Sequence, residues 1–403
     1  MSRLRGVDME KRTSRFGRIR AWRALTVMAL GLAPLILLVG VSLATISTAG
    51  SIVAGTSGDD LVAGAVNADY DVDFETDVSN ASAEFITVVF PAGYTIGAAT
   101  IQDAVGNAGT ITIEGVDNRA VTAVTISGQE VRVQLGTAQD LAGDQLEFRI
   151  LTGVTNPTVS GATAAFAVRV GTTAGGTEVD SDATAGTVAI TAGGLSATNV
   201  EPASLVAGAA GNVTVTFTVA NPVTNSEKIV VIFPAGFDVA SASFGSVGSD
   251  LDGTATVGVS GQTVTVTRTG GTTLLATETG SVVLGNITNP PGSGSTGTYT
   301  IRTTSAGDVT IDEDTAVSAD TITAGALSAT NVEPASLAAG VTGNVTVSFT
   351  TATALTNSEK IVVIFPAGFD VSGAGFDSVS GSLDGMAAVG VAGQTVTITR
   401  TGG

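Results

Sequence analysis

The sequence predicts an all-β protein built from tandem antiparallel β-sandwich domains, preceded by one N-terminal hydrophobic helix. Two observations predict this class. A short run of β-branched residues, ended by Phe-Pro-Ala-Gly or a close variant of it, occurs three times in the chain. After residue 46 the apolar residues alternate with polar ones or form short runs, and helical periodicity is absent. Short strands separated by turn residues and repeated at domain-sized intervals are typical of β-sandwiches.

The repeated run ends in Phe90, Phe233 and Phe365, each of which precedes Pro-Ala-Gly. Because proline cannot donate to a continuing strand ladder, a strand is expected to end at each of these phenylalanines. The three positions are 143 and 132 residues apart. Solenoid repeats are about 20 to 50 residues long, whereas about 100 to 150 residues is the size of an independent domain. Each copy is therefore predicted to be a whole domain.

Further shared segments set the boundaries of the repeats. Residues 195–205 and 327–337 are identical, and the divergent first copy keeps Leu-Val-Ala-Gly at 61–64 and Thr-Asn-Pro at 155–157. We expect a first repeat over residues 55–190, a second over 191–322 and a third over 323–403. The last five residues match positions 267–271 in the interior of the second repeat. The third repeat is therefore expected to be truncated, as part of a longer protein.

The first 49 residues have the pattern of an export signal. Residues 1–23 form a basic flank that is expected to stay in the cytoplasm, and residues 24–46 carry no charge. The uncharged run is long enough to span a bilayer, but Pro34 and two glycines interrupt it, and Ser47-Thr-Ala49 offers the small residues of a cleavage site. Residues 24–49 are thus either a signal peptide cleaved after Ala49 or a retained membrane anchor. Both alternatives predict an extracellular or cell-surface protein that touches the membrane only through this segment.

Each repeat contains about eight predicted strands. One of them, around Asp69 to Asp77, alternates acidic residues with apolar ones, so that Tyr70, Val72 and Phe74 are expected to face the core and the acids solvent. Most other strands alternate threonine with valine or isoleucine. This pattern predicts two stacked antiparallel sheets in an Ig-like arrangement.

The opening Ala-Thr-Asn-Val-Glu-Pro-Ala-Ser-Leu-Val-Ala-Gly of the second repeat, followed by an alternating Val-Thr-Val-Thr-Phe strand, resembles the first strands of Ig-like repeats in bacterial secreted and cell-surface proteins. The resemblance covers nearly everything after residue 55. It implies a stalk, adhesin or spacer, and it supplies no binding residue.

Composition excludes several function classes. The chain has no Cys and no His, which removes thiol nucleophiles, zinc sites and histidine acid–base chemistry, and we expect no enzymatic activity and no required cofactor. The net charge of −19 disfavours nucleic acid as a partner. The expected function is a non-catalytic adhesive or structural stalk, with matrix, cell-surface or neighbouring-repeat contacts. The alternative is a carbohydrate- or matrix-binding accessory region of a secreted enzyme whose catalytic domain lies beyond residue 403.

Two acidic pairs suggest a cation site between repeats. Asp180 and Asp182 occupy the same places in the first repeat as Asp312 and Asp314 in the second, and carboxylates spaced two apart share one face of a strand. Each pair precedes the Asn-Val-Glu segment of the following repeat. Calcium accepts six to eight oxygen ligands in irregular geometry. The sequence therefore predicts that Ca²⁺ binds these pairs at the inter-repeat junctions.

Overall fold

The structure, a computed structural model, describes residues 48–54, 61–76, 83–139, 141, 143–172 and 178–401. Every regular element within these ranges is a β-strand, so the prediction of an all-β chain is confirmed for them. The described part contains no helix of the length and hydropathy needed to cross a bilayer. The predicted hydrophobic helix falls on residues 24–49, of which 24–47 lie outside the described residues and 48–49 begin the first strand.

Fourteen strands precede or form the first repeat: β1 (Thr48–Ala54), β2 (Tyr70–Glu75), β3 (Ala83–Val89), β4 (Thr95–Ile96), β5 (Thr100–Gln102), β6 (Thr110–Ile113), β7 (Val116–Ser127), β8 (Glu130–Gln139), β9 (Gln145–Leu151), β10 (Val154–Thr155), β11 (Gly161–Ala162), β12 (Ala167–Gly171), β13 (Glu178–Asp182) and β14 (Ala189–Ile190). Twelve form the second: β15 (Gly193–Gly194), β16 (Ser196–Pro202), β17 (Ala210–Thr218), β18 (Lys228–Ile232), β19 (Ser243–Ser249), β20 (Ala255–Ser260), β21 (Thr263–Arg268), β22 (Thr279–Thr288), β23 (Gly294–Ser295), β24 (Tyr299–Thr304), β25 (Thr310–Val317) and β26 (Thr321–Ile322). Five lie in the third: β27 (Ser328–Pro334), β28 (Val345–Thr350), β29 (Lys360–Ile364), β30 (Ala387–Ala392) and β31 (Thr395–Arg400).

The second repeat is built from two sheets. One has the strand order β16-β17-β22-β19, and the other has the order β15-β25-β24-β18-β21-β20. Neighbouring strands are antiparallel except for β15, which pairs in parallel with β25 through Gly193 and Gly194. Alternate side chains of both sheets, such as Val215 and Val282 of the first and Val231 and Val264 of the second, are fully buried in one core. The two layers therefore enclose a single hydrophobic interior.

The first repeat has the same strand order, β1-β2-β9-β6 followed by β7-β8-β3-β12-β13. The long strand β7 pairs with β6 in its first half and with β8 in its second half, which joins the two layers into one continuous sheet. An aromatic cluster of Tyr70, Phe90, Tyr94 and Phe166 fills this core, with ring centroids 5.2 to 5.8 Å apart. Edge-on rings at such separations pack favourably.

The acidic strand β2 has the predicted orientation. Tyr70, Val72 and Phe74 are buried, and the acidic residues between them are partly exposed. Asp71 pairs with Arg149 on the neighbouring strand β9. Cross-strand pairing to an arginine thus offsets part of the repulsion within this acidic stripe.

The strands of the third repeat have fewer partners. Strand β28 pairs with β27 alone, whereas its counterpart β17 pairs with both β16 and β22. Strand β29 pairs with β31 alone, whereas β18 has neighbours on both sides. Accordingly, Ile364 is 74% exposed in the described structure.

Candidate functional site at the repeat junctions

In each of the first two repeats, the Leu-Val-Ala-Gly loop binds the linker that leaves the same repeat. In the first repeat Thr191 donates its backbone N–H to Leu61 O at 2.7 Å and its hydroxyl to the same oxygen at 3.1 Å. In the second repeat Thr323 makes both bonds to Leu205 O, at 2.7 and 3.1 Å. Each linker threonine also accepts a hydrogen bond from the alanine of the loop, at 2.8 Å. Both linkers are therefore fixed to the domain that they leave.

The Thr-Asn-Pro motif holds this loop from the other side. Asn156 donates its side-chain amide to Val62 O at 2.9 Å, and Asn289 donates to Val206 O at 3.0 Å. The proline carbonyls then accept the backbone N–H of the loop glycines, Gly64 and Gly208, at 2.9 and 3.0 Å. A motif that the sequence singled out as a repeat marker thus shapes the end surface of each domain.

At the first junction, Asn221 of the second repeat reaches the loop of the first. Its side-chain amide donates to Ala63 O at 3.1 Å, and its side chain is buried. A second contact lies nearby, where Ser160 donates both its backbone N–H and its hydroxyl to Thr310 O at 2.8 Å. The two repeats are therefore joined by hydrogen bonds as well as by the covalent linker.

Asp312, which belongs to the same repeat, fixes the position of the Asn221 side chain. Its Oδ1 accepts the side-chain amide of Asn221 at 2.7 Å, and its Oδ2 accepts the backbone N–H groups of Ala220 and Asn221 at 3.1 and 3.0 Å. The residue is 0% exposed. Burial raises the pKa of the Asp312 carboxyl, against the opposing effect of the hydrogen bonds from Asn221 and Ala220. The carboxylate is thus a buried acceptor that fixes the orientation of one corner.

The second junction uses the same positions with different chemistry. Thr353 stands where Asn221 stands in the second repeat, and its methyl carbon approaches Gly208, so that a Cβ on that glycine would lie 2.4 Å from it. Ala352 likewise approaches Gly325 of the linker, with 2.7 Å between its Cβ and a Cβ built on that glycine. Glycine at both positions is therefore required by the close approach of the next repeat.

The structure locates the four aspartates that were expected to bind calcium. Asp180 and Asp312 are equivalent, since they stand opposite Val170 on β12 and Thr303 on β24, respectively. Asp312, however, lies beside Gly193 at the start of its own repeat, rather than beside the Asn-Val-Glu segment of the third. Its two oxygens are engaged by Ala220 and Asn221.

The outer aspartate of each pair accepts hydrogen bonds within its own repeat. Asp182 accepts the backbone N–H and the hydroxyl of Thr184 at 2.7 and 2.8 Å. Asp314 accepts the hydroxyl of Thr198 at 2.6 Å and the backbone N–H of Ala316 at 2.9 Å. Within the described ranges, no group of three or more acidic side chains could hold a metal ion. Calcium binding by Asp180, Asp182, Asp312 and Asp314 stays a prediction.

Sequence reasoning missed Asn221, one of the residues that form hydrogen bonds across the first junction. Aligning the second and third repeats does mark the position, because Ala220-Asn221-Pro222 replaces Ala352-Thr353-Ala354 in otherwise similar surroundings. This difference between the repeats was the available signal.

Comparison with known proteins identifies no family. No protein-family model matches the chain, and no curated protein matches its sequence. Among solved structures, the N-terminal domain of a Streptococcus gordonii adhesin is similar at 12% identity and a TM-score of 0.23, over 64% of this chain and 61% of that one. Red sea bream transglutaminase is similar at 10% identity and a TM-score of 0.27, over 69% of this chain and 31% of that one. The collagen-binding domain of the Erysipelothrix rhusiopathiae surface protein RspB is similar at 11% identity and a TM-score of 0.20, over 69% of this chain and 93% of that one. The chain spans less than two thirds of the length of the adhesin domain and of the transglutaminase.

Proposed function

We propose that this protein is a non-catalytic stalk of the cell surface, in which Ig-like β-sandwich repeats are joined end to end as a stiff spacer. The junctions support the proposal most directly. Thr191 and Thr323 fix both linkers with the same set of hydrogen bonds, and residues of the next repeat contact the loop glycine at both junctions. Flexible linkers need free backbone rotation. A linker whose backbone is bonded into a domain lacks that freedom.

The placement of charged groups is consistent with a structural role. Asp312 binds a backbone corner, and the buried Arg268 donates to the carbonyl of Val223 at 2.6 Å. Buried charges that bind backbone groups fix loop conformations.

Under this proposal, the partners of each sandwich are first its neighbouring repeats. Extracellular matrix or other cell-surface molecules would be bound by exposed faces, and export would proceed through residues 1–49. The charge of −19 keeps such an array soluble and disfavours nucleic acid and anionic membranes as partners.

Small-angle scattering tests the stiff spacer. Protein recovered from the cell exterior is expected to give an elongated particle with one well-defined maximum dimension. A scattering curve that requires many inter-domain arrangements would contradict the proposal. Mass spectrometry of the same protein is expected to find a new N-terminus near Ser51 if the signal is cleaved, or peptides from residues 1–23 in the membrane fraction if the anchor is retained.

An adhesive role is separated from a spacer role by binding. The exported protein would be applied to three surfaces, one coated with collagen, one with fibronectin and one with albumin. The albumin surface is the control. Saturable binding above the albumin control is expected of an adhesin, whereas a pure spacer binds none of them. Recovery of all full-length protein from the cytoplasm would contradict both roles.

A further inference from the structure

Asn221 links three parts of the molecule that are distant in sequence. Its side-chain nitrogen lies 3.1 Å from Ala63 O in the first repeat and 2.7 Å from Asp312 Oδ1 on strand β25. Its backbone N–H also bonds to the same carboxylate. One amide group thus bridges the loop of the preceding domain and a buried carboxylate of its own domain, and both of its hydrogens have acceptors.

Two glycines leave room for the Asn221–Asp312 pair: Gly64 in the loop of the preceding repeat and Gly193 in strand β15 of the same repeat. A Cβ on Gly64, where φ is +67°, would lie 1.7 Å from Asn221 Oδ1. A Cβ on Gly193 would lie 2.2 Å from Asp312 Oδ1 and 2.8 Å from Asn221 Nδ2. Real Cβ atoms do not approach other atoms so closely, so any side chain at either position would displace the pair. The site therefore accepts a loop that ends in glycine and rejects bulkier ones.

The second junction offers a natural comparison. Thr353 occupies the place of Asn221 and meets Gly208 through its methyl carbon. A methyl group packs against glycine without a hydrogen bond to the loop, whereas a charge-assisted hydrogen-bond network fixes one particular orientation. The two junctions thus differ in chemistry while they share the same loop and the same glycines.

We propose that Asn221, positioned by Asp312, is a recognition site for the Leu-Val-Ala-Gly loop of a preceding repeat, and that it determines which domain docks there and in which orientation. The partner is another sandwich of the same type that presents such a loop with its carbonyl free. This inference rests on the proposed stiff array and adds to it the residue that selects the neighbour. Asp312 is a positioning residue, since it acts on the loop through Asn221.

Distance measurements across the first junction test the proposal. The chain contains no cysteine, so Val116→Cys in the first repeat and Val259→Cys in the second, which are 49% and 37% exposed, would carry the only two spin labels. The labelled protein with Asn221 intact is expected to give one narrow distance distribution. Asn221→Thr, which installs the residue of the second junction, is expected to keep a narrow distribution but to shift its mean distance, because the hydrogen bond that sets the orientation of the loop is lost. Thr353→Asn is the matched control and is expected to leave the distribution unchanged.

Two further measurements separate docking from folding. Hydrogen exchange in strands β17 and β22 is expected to be the same with and without Asn221→Thr, because the backbone N–H of residue 221 still bonds to Asp312. Gly64→Ala, placed in the other domain, is expected to shift the mean distance as Asn221→Thr does. A mean distance that neither substitution moves would overturn the recognition site and leave the stiff array intact. A broad distribution in the protein with Asn221 and Gly64 intact would overturn both.

Discussion

Gly236 lies directly against Pro290, so that a Cβ on this glycine would be 3.2 Å from the proline Cβ. Gly236 has a φ of +104°, and Gly93 of the first repeat, at +105°, meets Pro157 in the same way. The Phe-Pro-Ala-Gly corner and the Thr-Asn-Pro motif, which are far apart in sequence, are therefore two halves of one contact. Through the proline carbonyl, this contact also holds the loop that meets the next repeat.

Replacing Gly236 by alanine is expected to lower the free energy of unfolding of the second repeat by about 1–3 kcal/mol, because the backbone conformation there is one that only glycine adopts without strain. Thermal or denaturant unfolding measures this cost. Gly258→Ala is the control, since this exposed glycine in β20 has open space around it. A similar loss in both variants would contradict the role of the corner.

Arg268→Ala is expected to cost about 3 kcal/mol. The side chain is 1% exposed and donates to Val223 O at 2.6 Å and to Thr272 O at 2.5 Å, so its removal takes away both hydrogen bonds and leaves a cavity in their place. Arg302→Ala is the matched control, because that arginine is 37% exposed and pairs with Glu313 at 3.0 Å, a contact worth about 0–1 kcal/mol. Equal losses in a chemical denaturation series would show that the burial of Arg268 contributes nothing.

Acid is expected to weaken the first repeat through Asp103. Burial opposes ionisation of this carboxyl, but hydrogen bonds from the side chain and backbone of Asn107, the backbone of Asn118 and the hydroxyl of Thr110 outweigh it and lower the pKa of Asp103 from 3.8 to about 2. Because the folded pKa is below the unfolded one, the stabilisation is fully present above about pH 4 and is lost as the pH falls toward 2.

Carbon-detected NMR titration of Asp103 would give the midpoint directly. A midpoint at or above 3.8 would contradict this account. Asp103→Asn is expected to remove this contribution and to flatten the acid limb of the stability curve by about 1 kcal/mol, after allowance for solvent screening.

The third repeat is expected to be the least protected part of the described chain. Strands β28 and β29 each have one unpaired edge, and Phe349 and Val363 are half-buried where the equivalent Phe217 and Val231 are 0% exposed. Backbone amides on open edges exchange faster. Hydrogen exchange is therefore expected to be faster in β28 than in β17, and limited proteolysis is expected to trim the chain to about residue 325. Equal protection of all three repeats would be the contrary result.

Calcium is tested by thermal melting. If Asp180 and Asp182 bind the ion, millimolar Ca²⁺ is expected to raise the melting temperature by mass action, and Asp180→Ala with Asp182→Ala is expected to abolish the rise. Asp312 would have to give up its hydrogen bonds to Ala220 and Asn221 to bind Ca²⁺, so the first repeat is the better place to look. A melting curve that Ca²⁺ does not change would contradict the prediction of a calcium site.

The sequence was sufficient for the strands and insufficient for the ends of the domains. Period-2 alternation predicted which face of β2 is buried, because that information is local: successive side chains of a strand point to opposite sides. The position of Asp312 in the fold, by contrast, does not follow from local sequence. Ten residues of mostly extended chain separate it from Ile322, and at ~3.3 Å per residue this segment spans about 30 Å, which is a whole domain. An aspartate that is near the next repeat in sequence is therefore at the opposite end in space.

The separation of Asn221 from its partners also orders the steps of assembly. Asp312 follows Asn221 by 91 residues, and Asn221 follows Ala63 by 158. Contacts between such distant residues form late in folding, since a long loop must be closed first. During synthesis from the N-terminus, all residues of the first sandwich are made before Asp312 has emerged. In the proposed array, each new domain is therefore expected to finish folding against a neighbour that is already folded, so that the array grows in one direction.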